Sequence, residues 1–461
     1  MRLSPAIVAL FSLVLTSRIV VAAEDPASQD AAVKPSAAAE METRRRDLIR
    51  YGTDSEILKL VTVLEEEKAE YLDEELLAVL EATKNGKITS TVLGYFGRKN
   101  DPRAEARALK TLRERDLETN EAVEAAINYL GLIASREAPP ALRDLLDAEE
   151  ARFMEIAVRS LGRTGGVEAD VNASFLLSYY DERETNSGVK QAIIGALGAL
   201  GSKKATTFLK ELARNGDETA VRRMAALESI GKIGDGEALD AVLESLTASD
   251  PNVRSAAVAA LGPFSGEKVD AAILEAFRDS YYKTRSAAAK AAGERKMGEA
   301  VRYLRYRAER DEVSAVKEDA VQALGKIGNA DAMDNIRSIF DEKKNTDRLR
   351  IVAAEALLQH EGRDDASGII AALEEAQKDK RKALYNGLLK ALSGAKSSAL
   401  ENLARRLLSS EEITDKLYGL ELAKGNEFRS LSDEIKKLAE DEKNATLSRR
   451  AKDVLVALGM R

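Results

Sequence analysis

The sequence predicts an all-α solenoid of about twelve helix-turn-helix repeats that share one hydrophobic core. A motif seen as VRSAAVAALG at Val253–Gly262 returns along the chain at Val221–Gly231, Val316–Gly328 and Gly188–Gly201. Copies recur every 31 to 36 residues, a period typical of helical repeat arrays. Hydrophobic residues make up 44% of the chain and aromatic ones only 5%. This composition suits stacked alanine- and leucine-rich helices better than a deep aromatic pocket.

The residue that closes each copy of the motif sets the register. It is glycine in most copies and is replaced in two of them. In order, the closing residues are Gly97, Gly131, Gly162, Gly198, Gly231, Gly262, Gly293, Gly325, Leu358, Ser393, Gly425 and Gly459. We expect the glycines to adopt the left-handed backbone conformation that ends a helix.

One repeat shows the expected elements in order. Asp250 is a suitable N-cap and Pro251 suits the first helical position. Residues 253–261 place apolar side chains at helical spacing, and a second apolar helix is predicted from Val269 to Phe277. Drift from the motif at both ends of the chain is expected, since terminal repeats face water on one side.

The pattern x-V-R-x-x-A-A-x-A-L-G-x-[IL]-G resembles the HEAT-like repeat family, in the short form named after phycobilisome lyases. The resemblance covers most of residues 54–461. It implies a superhelix of helix pairs whose second helices line the inner curve. Members of this family serve as scaffolds, lyases and hydroxylases, so the repeat alone does not identify the function.

The first residues resemble an export signal. Arg2 precedes an apolar run at residues 5–15, and small residues end at Ala23 before a predicted cut ahead of Glu24. We therefore predict a signal peptide at 1–23, a flexible tether at 24–45 and the solenoid at 46–461. The bacterial periplasm is the expected compartment, and a cytoplasmic protein with an apolar N-terminus is the alternative.

Charge and cysteine content exclude several classes. The chain has 70 basic and 78 acidic residues, and removal of residues 1–23, which include Arg2 and Arg18, leaves 68 against 78, a net of −10. Such a balance argues against a nucleic-acid partner. Absence of cysteine removes disulfides and thiolate chemistry. We expect no cofactor, no metal and no membrane-spanning helix after signal cleavage, and the oligomeric state stays open.

The sequence predicts a partner-binding surface where tyrosine and arginine cluster. Both residue types are enriched in protein-binding hot spots. The alternative is arginine–tyrosine stacking on a solvated helix face, with Glu309 and Asp311 as charge partners. The predicted surface comprises Tyr281, Tyr282, Arg302, Arg305, Tyr306 and Arg310, with a smaller version at Tyr179 and Tyr180.

The single histidine, His360, precedes Glu361. Resemblance to deoxyhypusine hydroxylase, a HEAT-like enzyme, would require several His-Glu pairs for its di-iron site, and one pair cannot supply them. We therefore predict a non-enzymatic, exported scaffold that binds a partner protein, or an extended peptide segment, along its concave surface. The alternatives are a bilin lyase or hydroxylase-type enzyme and a structural element of the cell envelope.

Basic residues after the starting valine of the motif are predicted to hold neighbouring repeats together. They can pair with acids or carbonyl groups in the turns, such as Asp217 or Asp250. These basic residues are Arg222, Arg254, Lys317 and Arg350.

Overall fold

The computed structural model describes residues 37–460 apart from 167, 184, 361–365 and 442. Within these residues it has 26 α-helices and no β-strand, which confirms the all-α class. The predicted signal peptide, and residues 24–36 of the predicted tether, lie outside the described residues. The chain divides into two compact units, Met1–Glu75 and Leu76–Arg461.

The first unit contains helices α1 (Ala37–Tyr51) and α2 (Asp54–Glu67). Helix α1 begins inside the segment that we predicted as tether, because its alanine-rich start is a good helix former. Thr53 and Glu56 form a reciprocal capping box at the start of α2. Arg45 of α1 donates to Glu67 of α2 at 2.6 Å, which ties the two helices together.

The second unit is built from alternating first and second helices. Helix α3 (Asp73–Ala82) spans the boundary between the two units. The first helices are α4 (Gly86–Arg98), α6 (Asn120–Leu132), α8 (Met154–Arg163), α10 (Ser187–Leu200), α12 (Ala220–Ile233), α14 (Pro251–Ala260), α16 (Tyr282–Glu294), α18 (Ser314–Ile327), α20 (Asp347–Leu358), α22 (Lys382–Ser393), α24 (Ile413–Gly425) and α26 (Ala445–Ala457). The second helices are α5 (Glu105–Arg113), α7 (Pro139–Asp147), α9 (Ala169–Glu182), α11 (Thr206–Arg214), α13 (Leu239–Ser245), α15 (Glu267–Ala276), α17 (Val301–Arg310), α19 (Ala330–Asp341), α21 (Ala366–Lys378), α23 (Leu400–Leu408) and α25 (Ser432–Ala439).

The closing glycines have a different role from the one we predicted. Apart from Gly459, they do not have positive φ. Instead, most of them let consecutive first helices touch: a Cβ at Gly198 would lie 2.7 Å from the Cα of Ser229, and one at Gly162 would lie 2.7 Å from the Cα of Ala196. The left-handed helix ends fall at later glycines, such as Gly201 with φ of 68°.

The first helices of this unit pack closely on one another at these glycines. At six of these glycines a small residue of the next first helix makes the contact, and it lies two positions before the next closing residue, as Ser229 does before Gly231. Ser229 also donates to the carbonyl of Ile194 in the preceding first helix at 2.8 Å. The first helices therefore form one closely packed layer of this unit. That the second helices line the inner curve stays a prediction from the family resemblance.

Arginine–aspartate pairs join consecutive repeats in the middle of the unit. Arg254 donates to both carboxylate oxygens of Asp279 (2.8 and 3.0 Å) and to the carbonyl of Ala248. Arg285 repeats the arrangement with Asp311 (2.7 and 2.8 Å) and the carbonyl of Asp279. We call each such pair a rung. Bidentate geometry of this kind is the strongest form of an ion pair.

The other predicted bridging residues contact carbonyl groups or acids of their own turns. Arg350 donates to the carbonyl of Phe340, and Lys317 to that of Glu309. Arg222 instead pairs with Glu218 one turn away, whereas its neighbour Arg223 donates to the carbonyl of Ala213 in the equivalent manner. The prediction was therefore one residue out of register in this repeat.

Candidate partner-binding surfaces

Four predicted site residues lie on the exposed side of second helix α17. Arg302 stacks over Tyr303 at 5.1 Å from the ring centre, and Arg305 donates to Glu309 at 3.0 Å. The Tyr306 side chain is 57% exposed, and Arg310 is exposed with no ion pair among the described residues. The cluster is therefore accessible, although most of its arginines already contact an acid or a ring of their own helix.

The two tyrosines before this cluster lie at the start of α16. Tyr281 donates its hydroxyl to Asn252 Oδ1 at 2.9 Å, and its ring meets that of Tyr282 edge-on at 5.2 Å. Tyr282 is 37% exposed. Tyr281 therefore links α16 to α14 and leaves only Tyr282 with substantial accessible area.

The smaller predicted site on α9 is not an open surface. Tyr179 is only 3% exposed and donates its hydroxyl to the carbonyl of Leu146 at 3.1 Å, so the structure places it in the core. Tyr180 packs edge-on against Phe208 at 4.8 Å, with Lys190 over its ring. Burial raises the pKa of both tyrosine hydroxyls. The burial of these two tyrosines could not be predicted from the sequence, because the residue type is the same whether the ring points into the core or into solvent.

His360 packs at a repeat turn. A Cβ on Gly328 would lie 2.9 Å from the imidazole Cε1, and Gly328 itself has φ of 66°. The imidazole therefore covers the end of α18. Its neighbour Glu361 lies outside the described residues. Within the described part of the chain, no three histidine, aspartate or glutamate side chains are close enough to hold a metal ion.

A shallow groove, which we call the alanine groove, crosses the layer of first helices. Its larger part, 580 Å³, is formed by α10, α12 and α14. Apolar side chains at outward positions supply its floor, and Val221 is 62% exposed. The floor and walls include Val221, Met224, Ala225, Gly231, Ala256, Ala259 and Ala260.

The groove continues between α14 and α16 as a second depression of 420 Å³, which meets the first at Ala259. Its rim carries charges of both signs, including Lys283, Lys290 and Glu294. The side chains of the floor are small and apolar, whereas the rim carries charges of both signs. The groove therefore suits a segment whose central part is apolar.

The groove is hard to predict from the sequence because alanine is equally typical of the core of a thin helix. The signal was nevertheless present in α12. Val221 and Met224 are three residues apart on one helical face, whereas the buried stripe of the same helix passes through Ala226, Leu227 and Ile230. A second apolar stripe on a repeat helix indicates a surface for a partner.

Among the described residues, no helix is both long enough and apolar enough to cross a bilayer.

The sequence matches the family described as Spirochaete HEAT repeat protein over residues 49–454. No curated protein sequence is significantly similar to the chain. Among solved structures, the Kap95:Nup1 complex is similar with a TM-score of 0.54 at 13% identity, and covers 92% of this chain and 67% of that one. At this identity the likeness supports the solenoid fold alone.

Two enzymes of the repeat class are also among the similar structures. Human deoxyhypusine hydroxylase is 18% identical, with a TM-score of 0.25, over 59% of this chain and 96% of that one. The CpcE–CpcF complex of phycocyanin lyase from a Nostoc species is 19% identical, with a TM-score of 0.34, over 54% of this chain and 94% of that one. Neither likeness is close enough to carry an argument about function.

Proposed function

The chain belongs to the spirochaete HEAT repeat protein family, and we propose that it is a scaffold that binds an apolar segment of a partner protein in the alanine groove. The observation that carries the proposal is the run of outward-facing small and apolar residues across three consecutive first helices. Kap95, whose fold is similar, is bound to another protein in its solved structure.

The geometry of the groove supports an extended or helical segment as the ligand. The depressions of 580 and 420 Å³ are shallow, and they follow each other across the helices. Alanine and glycine on the floor let a main chain approach closely without displacing larger side chains. A rigid floor also lowers the entropy that association costs, because little of the site has to be ordered on binding.

Two further features belong to the proposal. We infer that the protein is non-enzymatic and acts in the periplasm after export. Support comes from the apolar run at residues 5–15 before Ala23, and from a chain with no cysteine and one histidine. A short apolar run with small residues before the cut is typical of a cleaved signal.

Closing the groove is expected to abolish partner binding. Ala259 is exposed on α14 and lines both depressions, so Ala259→Arg places a long charged side chain at the centre of the groove. Arginine is a good helix former, and we expect the thermal midpoint to change by less than about 2 °C. Partner capture is measured with a photo-crosslinking amino acid at Met224.

The matched control is Ala271→Arg, because Ala271 is an exposed alanine on the second helix of the same hairpin. This variant should retain the crosslinked product. The combined replacement of Arg302, Arg305 and Tyr306 by alanine tests the surface on α17. If that triple variant alone loses the partner, the groove is the wrong site and the cluster on α17 is the right one.

Export is expected to produce a mature chain that starts at Glu24. N-terminal sequencing of protein recovered from the periplasm of a Gram-negative host measures this directly. Leu13→Arg breaks the apolar run and should leave the precursor in the cytoplasm. Recovery of the full-length wild-type chain from the cytoplasm would contradict the proposed localisation.

A further inference from the structure

The junction between α22 and α24 is built differently from the two junctions that carry a rung. In each rung the arginine is the fourth residue of a first helix, as Arg285 is in α16. Its aspartate lies three residues before the next first helix, as Asp311 does before α18. At the later junction these two positions hold Tyr385 and Ser410. The residue types that form a rung are therefore both missing there.

A carboxylate nevertheless occupies this junction. Asp415 of α24 is only 6% exposed; its Oδ1 accepts a hydrogen bond from the Tyr385 hydroxyl at 3.1 Å, and its Oδ2 accepts one from the Ser410 hydroxyl at 2.9 Å. Both donors are neutral, and within the described residues no ion pair reaches Asp415. Burial, together with the nearby charge of Asp415, raises the pKa of Tyr385 to about 12, so this hydroxyl stays protonated.

Two cavities open onto this carboxylate. They measure 400 and 310 Å³ and share Gln377, Tyr385 and Asp415 in their walls. Lys380 and Lys382 line the larger cavity and outnumber its one other carboxylate, that of Glu412, so a cation is less favoured there than in the smaller cavity. In the smaller cavity the only other charged side chains are Glu374 and Arg406, which pair with each other at 2.5 Å. The smaller cavity therefore presents the net negative charge of Asp415.

We propose that the smaller cavity binds a guanidinium group against Asp415, supplied by an arginine side chain of a partner protein or by a free guanidino compound. A carboxylate has about four acceptor sites, and the two hydroxyls use only two of them. A buried carboxylate without a cation is destabilising, and a guanidinium fork matches its geometry. The rungs hold a guanidinium in the same way, between a carboxylate and loop carbonyl groups of the equivalent junctions.

The proposal is tested by NMR on the full chain labelled with ¹³C-tyrosine. The sequence has 12 tyrosines, and the Tyr385 signal is assigned by its loss in Tyr385→Phe. One probe is N-acetyl-arginine-N-methylamide, which represents a protein side chain, and the other is ethylguanidinium. Tetramethylammonium chloride at the same ionic strength controls for salt. Each probe is added up to 20 mM, well below denaturing concentrations.

We expect a saturable shift of the Tyr385 signal, with at least tenfold weaker binding in Asp415→Asn. This variant keeps the size of the side chain; its amide oxygen can accept from one of the two hydroxyls and its NH2 group can donate to the other. Glu412→Gln removes a charge at the larger cavity and should bind as the wild type does.

Equal binding of both probes would favour a free guanidino ligand, and preference for the arginine derivative would favour a partner side chain. A shift that fails to saturate, or one unchanged in Asp415→Asn, overturns the proposal. A rise in thermal midpoint with either probe, seen in wild type alone, gives a second readout if the signals overlap.

Discussion

Gly198→Ala is expected to destabilise the solenoid by about 3 kcal/mol, although alanine is the better helix former. The new Cβ would lie 2.7 Å from the Cα of Ser229 and 2.6 Å from its Cβ, a distance that only a backbone shift can relieve. That shift would also stretch the 2.8 Å hydrogen bond from Ser229 to Ile194. Urea unfolding followed by circular dichroism at 222 nm measures the change.

The same helix offers a matched control. Gly195 lies one turn earlier in α10, and a Cβ there would have no atom within 4 Å. Gly195→Ala should therefore stabilise the protein by about 0.5–1 kcal/mol through helix propensity alone. If the two variants changed stability equally, close contact between first helices would not be the reason for the glycine at position 198.

Much of the fold follows from the sequence because its causes are local. The period of the motif predicts the number of helix pairs, and the capping residues predict where the helices begin. Asp250 illustrates this, since its carboxylate accepts from the backbone N–H groups of Asn252 at 2.7 Å and Val253 at 3.4 Å. Such contacts involve residues two or three positions apart, which a single sequence displays directly.

The features that escaped the sequence analysis depend on residues about 30 positions apart. Gly198 reads as a helix terminator until Ser229 is seen beside it, and Tyr179 reads as a surface residue until Leu146 is seen beside it. The alanine groove likewise requires three consecutive helices to be aligned. The alanines and glycines give no information on these neighbours, because both residue types are equally compatible with a buried contact and with an open groove.

Arg285→Met is expected to cost about 3–5 kcal/mol at pH 7, which would make it the most damaging single change in the rungs. The Asp311 side chain is fully buried, and in this variant Arg307 at 3.3 Å would be its only remaining cation among the described residues. In the wild-type protein burial tends to raise the pKa of Asp311, but hydrogen bonds from Arg285 and the Val313 N–H outweigh it, so the pKa is lowered. The exposed ion pair of Arg278 and Glu275 supplies the control, since Arg278→Met should cost less than about 1 kcal/mol.

The pH dependence distinguishes a lost charge partner from simple loss of packing. A lowered pKa in the folded wild type means that the contribution of Asp311 is present above its unfolded pKa, about 3.9, and is lost as the pH falls below it. In Arg285→Met the buried carboxylate is disfavoured and its pKa rises above the unfolded value, so the sign reverses. That variant should recover stability as the pH falls from 7 toward 4, while the wild type does not. Thermal or urea unfolding of both proteins across this pH range measures the difference in their free energies of unfolding. A difference that stayed constant with pH would mean that the methionine variant is destabilised by altered packing and that the buried charge of Asp311 carries no cost.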